Sequence, residues 1–114
     1  MERKEETLVL DGNTYVLREL ELPETLEIVD RTVIVDSARG ERRVLVGSEM
    51  LLTVFYSLAS WSICEGDKPV KITEASVRKY LPKNHLVPLY NLAAKLNQVE
   101  EDEKNASSDQ SAGS

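Results

Sequence analysis

Histidine occurs once in this 114-residue chain, as His85, and cysteine once, as Cys64. A single cysteine excludes an intramolecular disulfide and fits a reducing compartment. One histidine and one cysteine fall short of any zinc-type ligand set, so no metal is expected. The glycines at positions 12, 40, 47, 66 and 113 are too scattered to form a phosphate-binding loop, and no cofactor is expected either. The opening MERKEETLVL lacks the apolar core of a signal peptide, so none is expected. The longest apolar stretch, 50–64, is shorter than the roughly 20 residues that span a bilayer. It is also interrupted by Thr53, Ser57, Ser60 and Ser62, and reads as buried rather than membrane-bound.

Clustered positive charge is scarce as well. The formal net charge is −6. Residues 98–114 contribute five acids against one base, so the remainder is nearly balanced. Only Arg39, Arg42 and Arg43 cluster, and Glu41 interrupts them. Phosphate backbones are held by grouped Lys and Arg, so nucleic acid is not expected as a partner. Glu100–Glu103 is an acidic run without the spacing of a calcium loop. A Cys64–His85 pair is the one nucleophile-like combination available, and its ordinary reading is a small apolar cysteine beside a polar helix start. The chain is not expected to be an enzyme.

What the chain does contain is organised around 47–97. The N-terminal segments 7–10 and 14–20 flank Asp11-Gly12-Asn13, which predicts a β-hairpin, because Gly and Asn tolerate positive φ. Tyr15 and Leu17 share one face of its second arm. Pro23 suits a helix start, with Glu24 and Glu27 near its positive end. Leu22, Leu26, Val29 and Val33 make an amphipathic stripe. The preferred reading is a helix over 23–35 and then a loop. The β-branched run Thr32–Val35 keeps a second hairpin over 32–46 open as the alternative.

Ser48 is placed to cap a helix over 48–64. Its apolar residues cover most of the circumference, leaving Glu49, Thr53, Ser57 and Ser60 as a narrow polar line. A helix apolar on nearly all sides must be buried on nearly all sides, and a chain this short is expected to need a partner to cover it. Gly66 is placed to end the helix as a left-handed cap. Thr73 caps a short helix over 73–81, with Ser76 in place of the usual Glu, and Pro82 ends it. A last helix over 84–97 carries Leu86, Leu89, Ala93 and Leu96 as its stripe, with Pro88 in its first turn and Asn97 as terminator. Residues 98–114 are too polar to bury a core and are expected to be disordered. The expected fold is thus α+β, mainly α: one domain over 1–97 with an N-terminal hairpin and about four helices, then an acidic tail.

The order of these pieces resembles the tail assembly chaperones of long-tailed bacteriophages. The likeness runs over residues 8–97. It includes the G-x-x-Y-x-L-R-x-L pattern within VLDGNTYVLREL, the EGDKPV exit from the apolar stretch, the Thr-capped segment ending in Leu-Pro, and the closing Leu96-Asn97. The resemblance implies a non-enzymatic protein of the host cytoplasm that binds the tape measure protein, meets the tail tube protein and self-associates. The candidate interface on that reading is Leu51, Phe55, Tyr56, Trp61, Leu86, Leu89, Tyr90 and Leu96. An adaptor domain with one dedicated partner is the alternative.

Overall fold

A computed structural model describes residues 3–108, with side chains of the last helix described as far as Asn97. The chain opens with strands β1 (Glu5–Leu10) and β2 (Asn13–Arg18), paired antiparallel with Leu10 opposite Asn13. Asp11 (φ 51°) and Gly12 (φ 84°) form the turn between them. Two successive left-handed residues match the right-handed twist of a tight hairpin, and Asp-Gly is among the cheapest ways to supply them. The period-2 alternation then turns Tyr15 and Leu17 into the core, where both are fully buried.

Helix α1 spans Leu22–Thr32. It starts where the Glu24 carboxylate accepts the Glu21 N–H at 2.9 Å. It stops short of the expected 35, because Val33 begins β3 (Val33–Asp36), which pairs with β4 (Glu41–Val44). The β-branched run therefore takes its strand preference, and the hairpin alternative is the one adopted.

The expected helix over 48–64 is corrected at both ends. Helix α2 spans Val46–Ser57, beginning before Ser48, and no side chain caps it. At Leu58 the chain turns extended, and β5 (Leu58–Trp61) pairs antiparallel with β2. The physical reason is the open edge of the first hairpin. Its unpaired backbone groups offer 58–61 a ladder, and this tertiary gain outweighs continuation of the helix. The sheet order is β1-β2-β5, so β2 lies in the middle. Gly66 (φ 63°) does use its left-handed freedom, but in the turn between β6 (Cys64–Glu65) and β7 (Lys68–Pro69) rather than at a helix end.

Helix α3 (Glu74–Tyr80) follows the expectation closely. The Ser76 N–H donates to the Thr73 Oγ1 at 3.0 Å, and the Thr73 N–H donates to the Ser76 Oγ at 2.8 Å, so Ser completes the capping box in place of Glu. Helix α4 spans Lys83–Ser108. It begins one residue earlier than expected, so Pro88 lies beyond its first turn. The Asn84 carbonyl loses its helical donor there, and because Asn84 is exposed, water can donate to it instead. Asn97 does not end this helix. Its Nδ2 donates to the Ala93 carbonyl at 2.8 Å, while its Oδ1 accepts the Leu20 N–H at 2.9 Å. The backbone runs on to Ser108, into the stretch expected to be disordered, through residues of good helix propensity. Residues 109–114 lie outside the described residues.

The result is a mixed helix–strand fold with four helices, and with more strand than the single expected hairpin. Its core joins one face of the three-stranded sheet to α2, α3 and α4 through Tyr15, Leu17, Val54, Leu58, Val77, Leu89 and Leu96. Arg31 fastens α1 to α3 with a two-pronged contact to Glu74, both arms 2.9 Å long. That geometry holds Glu74 below the usual carboxylate range and raises Arg31 above its own.

Candidate functional site

Helix α1 inverts the usual rule for an amphipathic helix. It buries Ile28 and Thr32, while the stripe Leu22, Leu26 and Val29 faces outward at 68%, 52% and 43% exposure. The β3–β4 arm continues this surface with Ile34, Val35 and Val44, and Leu45 and Val46 follow at the start of α2. Among the described residues, eight of the ten exposed large hydrophobic side chains lie between Leu22 and Val46. The uncovered apolar surface is thus on α1 and the arm. The 47–64 stretch, expected to need outside cover, has Leu52, Val54, Leu58 and Ile63 packed in the core.

Inside the stripe, α1, the arm, α2 and α4 enclose a groove of about 710 Å³. Its walls are mixed: Leu22, Ile28, Val29, Val33 and Val44 supply apolar surface, and Thr25, Thr32 and Asn97 polar surface. One polar cluster is set into it. Tyr90 donates its hydroxyl to the Glu49 carboxylate, at 2.9 and 3.1 Å to the two oxygens. The Thr53 hydroxyl donates to the same carboxylate at 3.1 Å. Part of the narrow polar line read from the sequence therefore turns inward here, with Thr53 and Ser57 buried. Burial, and next the bond to Glu49, push the Tyr90 hydroxyl above its ordinary value.

The expected interface residues divide. Leu89 and Leu96 are core residues. Leu51, Leu86 and Tyr90 are half-buried against that core. Phe55 and Tyr56 lie together, ring centres 4.8 Å apart, and line a second groove with Trp61. Only Tyr90 reaches the α1 groove. The α1 stripe was visible in the sequence as a stripe, but its direction was not.

A second constellation carried no local signal. Tyr15, His85 and Asp11 form a chain across the start of α4 and the hairpin tip. The Tyr15 hydroxyl lies 2.8 Å from His85 Nδ1, and His85 Nε2 lies 2.8 Å from Asp11 Oδ2. The tautomer protonated on Nε2 satisfies every partner: Tyr15 donates to Nδ1, and Nε2–H donates to the carboxylate. Tyr15 is wholly buried and His85 is 2% exposed. No substrate can reach the hydroxyl, so this arrangement is a structural latch and not a nucleophile relay. Burial raises the Tyr15 hydroxyl above its ordinary value. The bond from His85 holds the Asp11 carboxyl below its own. Cys64 takes no part; it is exposed, and its thiol donates to the Ser62 carbonyl at 3.6 Å.

The depressed carboxyl groups Asp11, Glu21 and Glu74 have one consequence. Each stabilises the fold above its unfolded pKa, and that stability is lost as pH falls through the lower folded value. Unfolding free energy should decline below about pH 4. Asp11→Asn is expected to make that decline shallower while lowering stability at neutral pH. Urea titrations between pH 3 and pH 7 would read both effects, and an unchanged acid slope would remove Asp11 from this account.

No protein-family model, curated protein or solved structure matches this chain.

Proposed function

We propose that the chain is a tail assembly chaperone of a long-tailed bacteriophage or prophage. On this reading it is not an enzyme. It binds the tape measure protein and keeps that long, helical client soluble in the cytoplasm of the bacterial host while the tail assembles. The observation that carries the reading is the uncovered stripe Leu22, Leu26 and Val29 beside a partly apolar groove. A surface of this kind, with the exposed acids Glu27 and Asp30 on the same helix, fits the apolar face of a client helix. The polar pair Glu49–Tyr90 offers a fixed point for a client donor. Acidic residues Glu100–Glu103 on the outer part of α4 would keep a loaded complex dispersed. The sequence resemblance supports the same client and adds the tail tube protein and further copies of this chain as partners.

The test is co-expression with a helical fragment of the tape measure protein. The fragment is expected to be insoluble alone and to co-purify with this chain when the two are made together. A fragment that stays insoluble in the presence of abundant, folded chain would overturn the reading.

A further inference from the structure

Strand β5 forms the outer edge of the three-stranded sheet. Its inner side is taken by β2, and the Ser62 N–H donates to the Thr14 carbonyl at 3.0 Å just beyond it. The alternation of an antiparallel ladder then turns the backbone N–H and C=O of Trp61 away from β2. Residues 58–61 line a groove of about 530 Å³ that also takes in Arg18 of β2 and Glu24 of α1. Residues 70–72 form a further wall of it. The Trp61 indole N–H fixes that wall by donating to the Val70 carbonyl at 2.7 Å, and the Val70 N–H donates to the Ile63 carbonyl at 3.0 Å. Phe55 and Tyr56 add an aromatic surface.

The charge in this groove is unbalanced. Arg18 and Lys71 both line it. Among the described residues the Arg18 side chain makes no hydrogen bond or ion pair, and its Nε is shut off from solvent without a partner. Glu24 also lines the groove, but it already accepts the Glu21 N–H at 2.9 Å and faces Arg3 at 3.5 Å. Glu21 feels the charge of Arg18 but makes no hydrogen bond or ion pair with it, so the desolvation of the half-buried guanidinium is only partly offset.

We propose that this edge binds an extended, acidic peptide segment of a partner protein. The segment adds to β5 as a short fourth strand. One of its carboxylates sits on Arg18 and Lys71, and a neighbouring apolar side chain lies on Phe55 and Tyr56. Backbone pairing at the edge supplies affinity, and the cation and aromatic contacts supply selectivity. The brevity of β5 limits the added strand to about four residues, which also protects the edge from indiscriminate pairing. This site takes a strand rather than a helix and stands independently of the proposed chaperone role.

The test uses a displayed library of random heptapeptides, selected against the full chain. The expected result is enrichment of alternating apolar residues with an Asp or Glu among them. The enriched peptide, made synthetically, is then titrated while the emission of Trp61 is followed, since the chain has only one tryptophan. Arg18→Gln and the exposed Lys71→Gln are each expected to weaken binding about tenfold, the scale of one lost charge-assisted contact. N-methylating alternate peptide nitrogens should abolish it, while Leu26→Asp on the α1 face should leave it unchanged. The proposal is overturned by an absence of enrichment, by enriched peptides that lack an acid, or by binding that survives N-methylation. It is equally overturned if folded Lys71→Gln and Arg18→Gln proteins bind as tightly as the original.

Discussion

Replacing His85 with alanine is expected to destabilise the protein by about 3 kcal/mol, one of the largest effects of any single change outside the apolar core. Two costs add. The Tyr15 hydroxyl is fully buried and loses its acceptor, and an unpaired buried polar group costs about 1–3 kcal/mol. Removing the imidazole also leaves a cavity that the rigid hairpin cannot fill, which adds about 1–2 kcal/mol. Asp11 contributes little to the total, because it is exposed and water can replace His85 there. For a domain of this size the loss is of order 15 °C in melting temperature. Tyr15→Phe is the useful companion, since it removes the hydroxyl that His85→Ala strands. The double variant should therefore lose less than the sum of the single losses, with a coupling of about 1 kcal/mol or more. Urea unfolding followed by circular dichroism reads all three. A loss below about 1 kcal/mol for His85→Ala would mean that the latch is decorative.

The latch shows what kind of information the sequence withholds. Asp11, Tyr15 and His85 come from a turn, a strand and a helix start, and His85 is 70 residues from Tyr15. Each has an ordinary local reading, and only the docking of α4 on the first hairpin makes them one unit. Elements with local chemistry were legible. The Asp11-Gly12 turn, the period-2 placement of Tyr15 and Leu17, and the Thr73 cap with its Pro82 stop each rest on residues a few positions apart. Boundaries set by distant partners were not. Nothing within SLASWSIC marks Ser57 as the end of a helix; the cause is the open edge of β2, some forty positions upstream in the chain. The stripe on α1 was legible in part. Its spacing gave a helix over Leu22–Val29, but not the direction of the stripe, and Ile28 and Thr32 occupy the inner face. Patterning finds an apolar face; it does not say whether the same chain covers it.

The outward stripe locates the second large effect, which lies in function and leaves the fold intact. Leu26 and Val29 are exposed and stand one helical turn apart on α1. Changing both to aspartate is expected to shift unfolding free energy by no more than about 1 kcal/mol, the sum of two surface substitutions. On the proposed reading the same pair should abolish rescue of the tape measure fragment. Fully covering an exposed Leu or Val is worth about 1.5–3 kcal/mol; Leu26 and Val29 are already about half covered, so a client supplies about half of that at each, and an uncompensated carboxylate against the client adds a desolvation penalty. The lower bound of the apolar part alone, about 1.5 kcal/mol for the pair, weakens binding more than tenfold. Leu89→Asp provides the contrast. Leu89 is fully buried, so that change should lose the fold and the client together. The two variants separate a surface role from a packing role, which no change at a half-buried position such as Leu51 or Leu86 can do. Co-purification and urea unfolding on the same preparations are the measurements. If the folded Leu26→Asp/Val29→Asp protein still keeps the fragment soluble, the client does not dock on α1, and the exposed stripe must serve another contact.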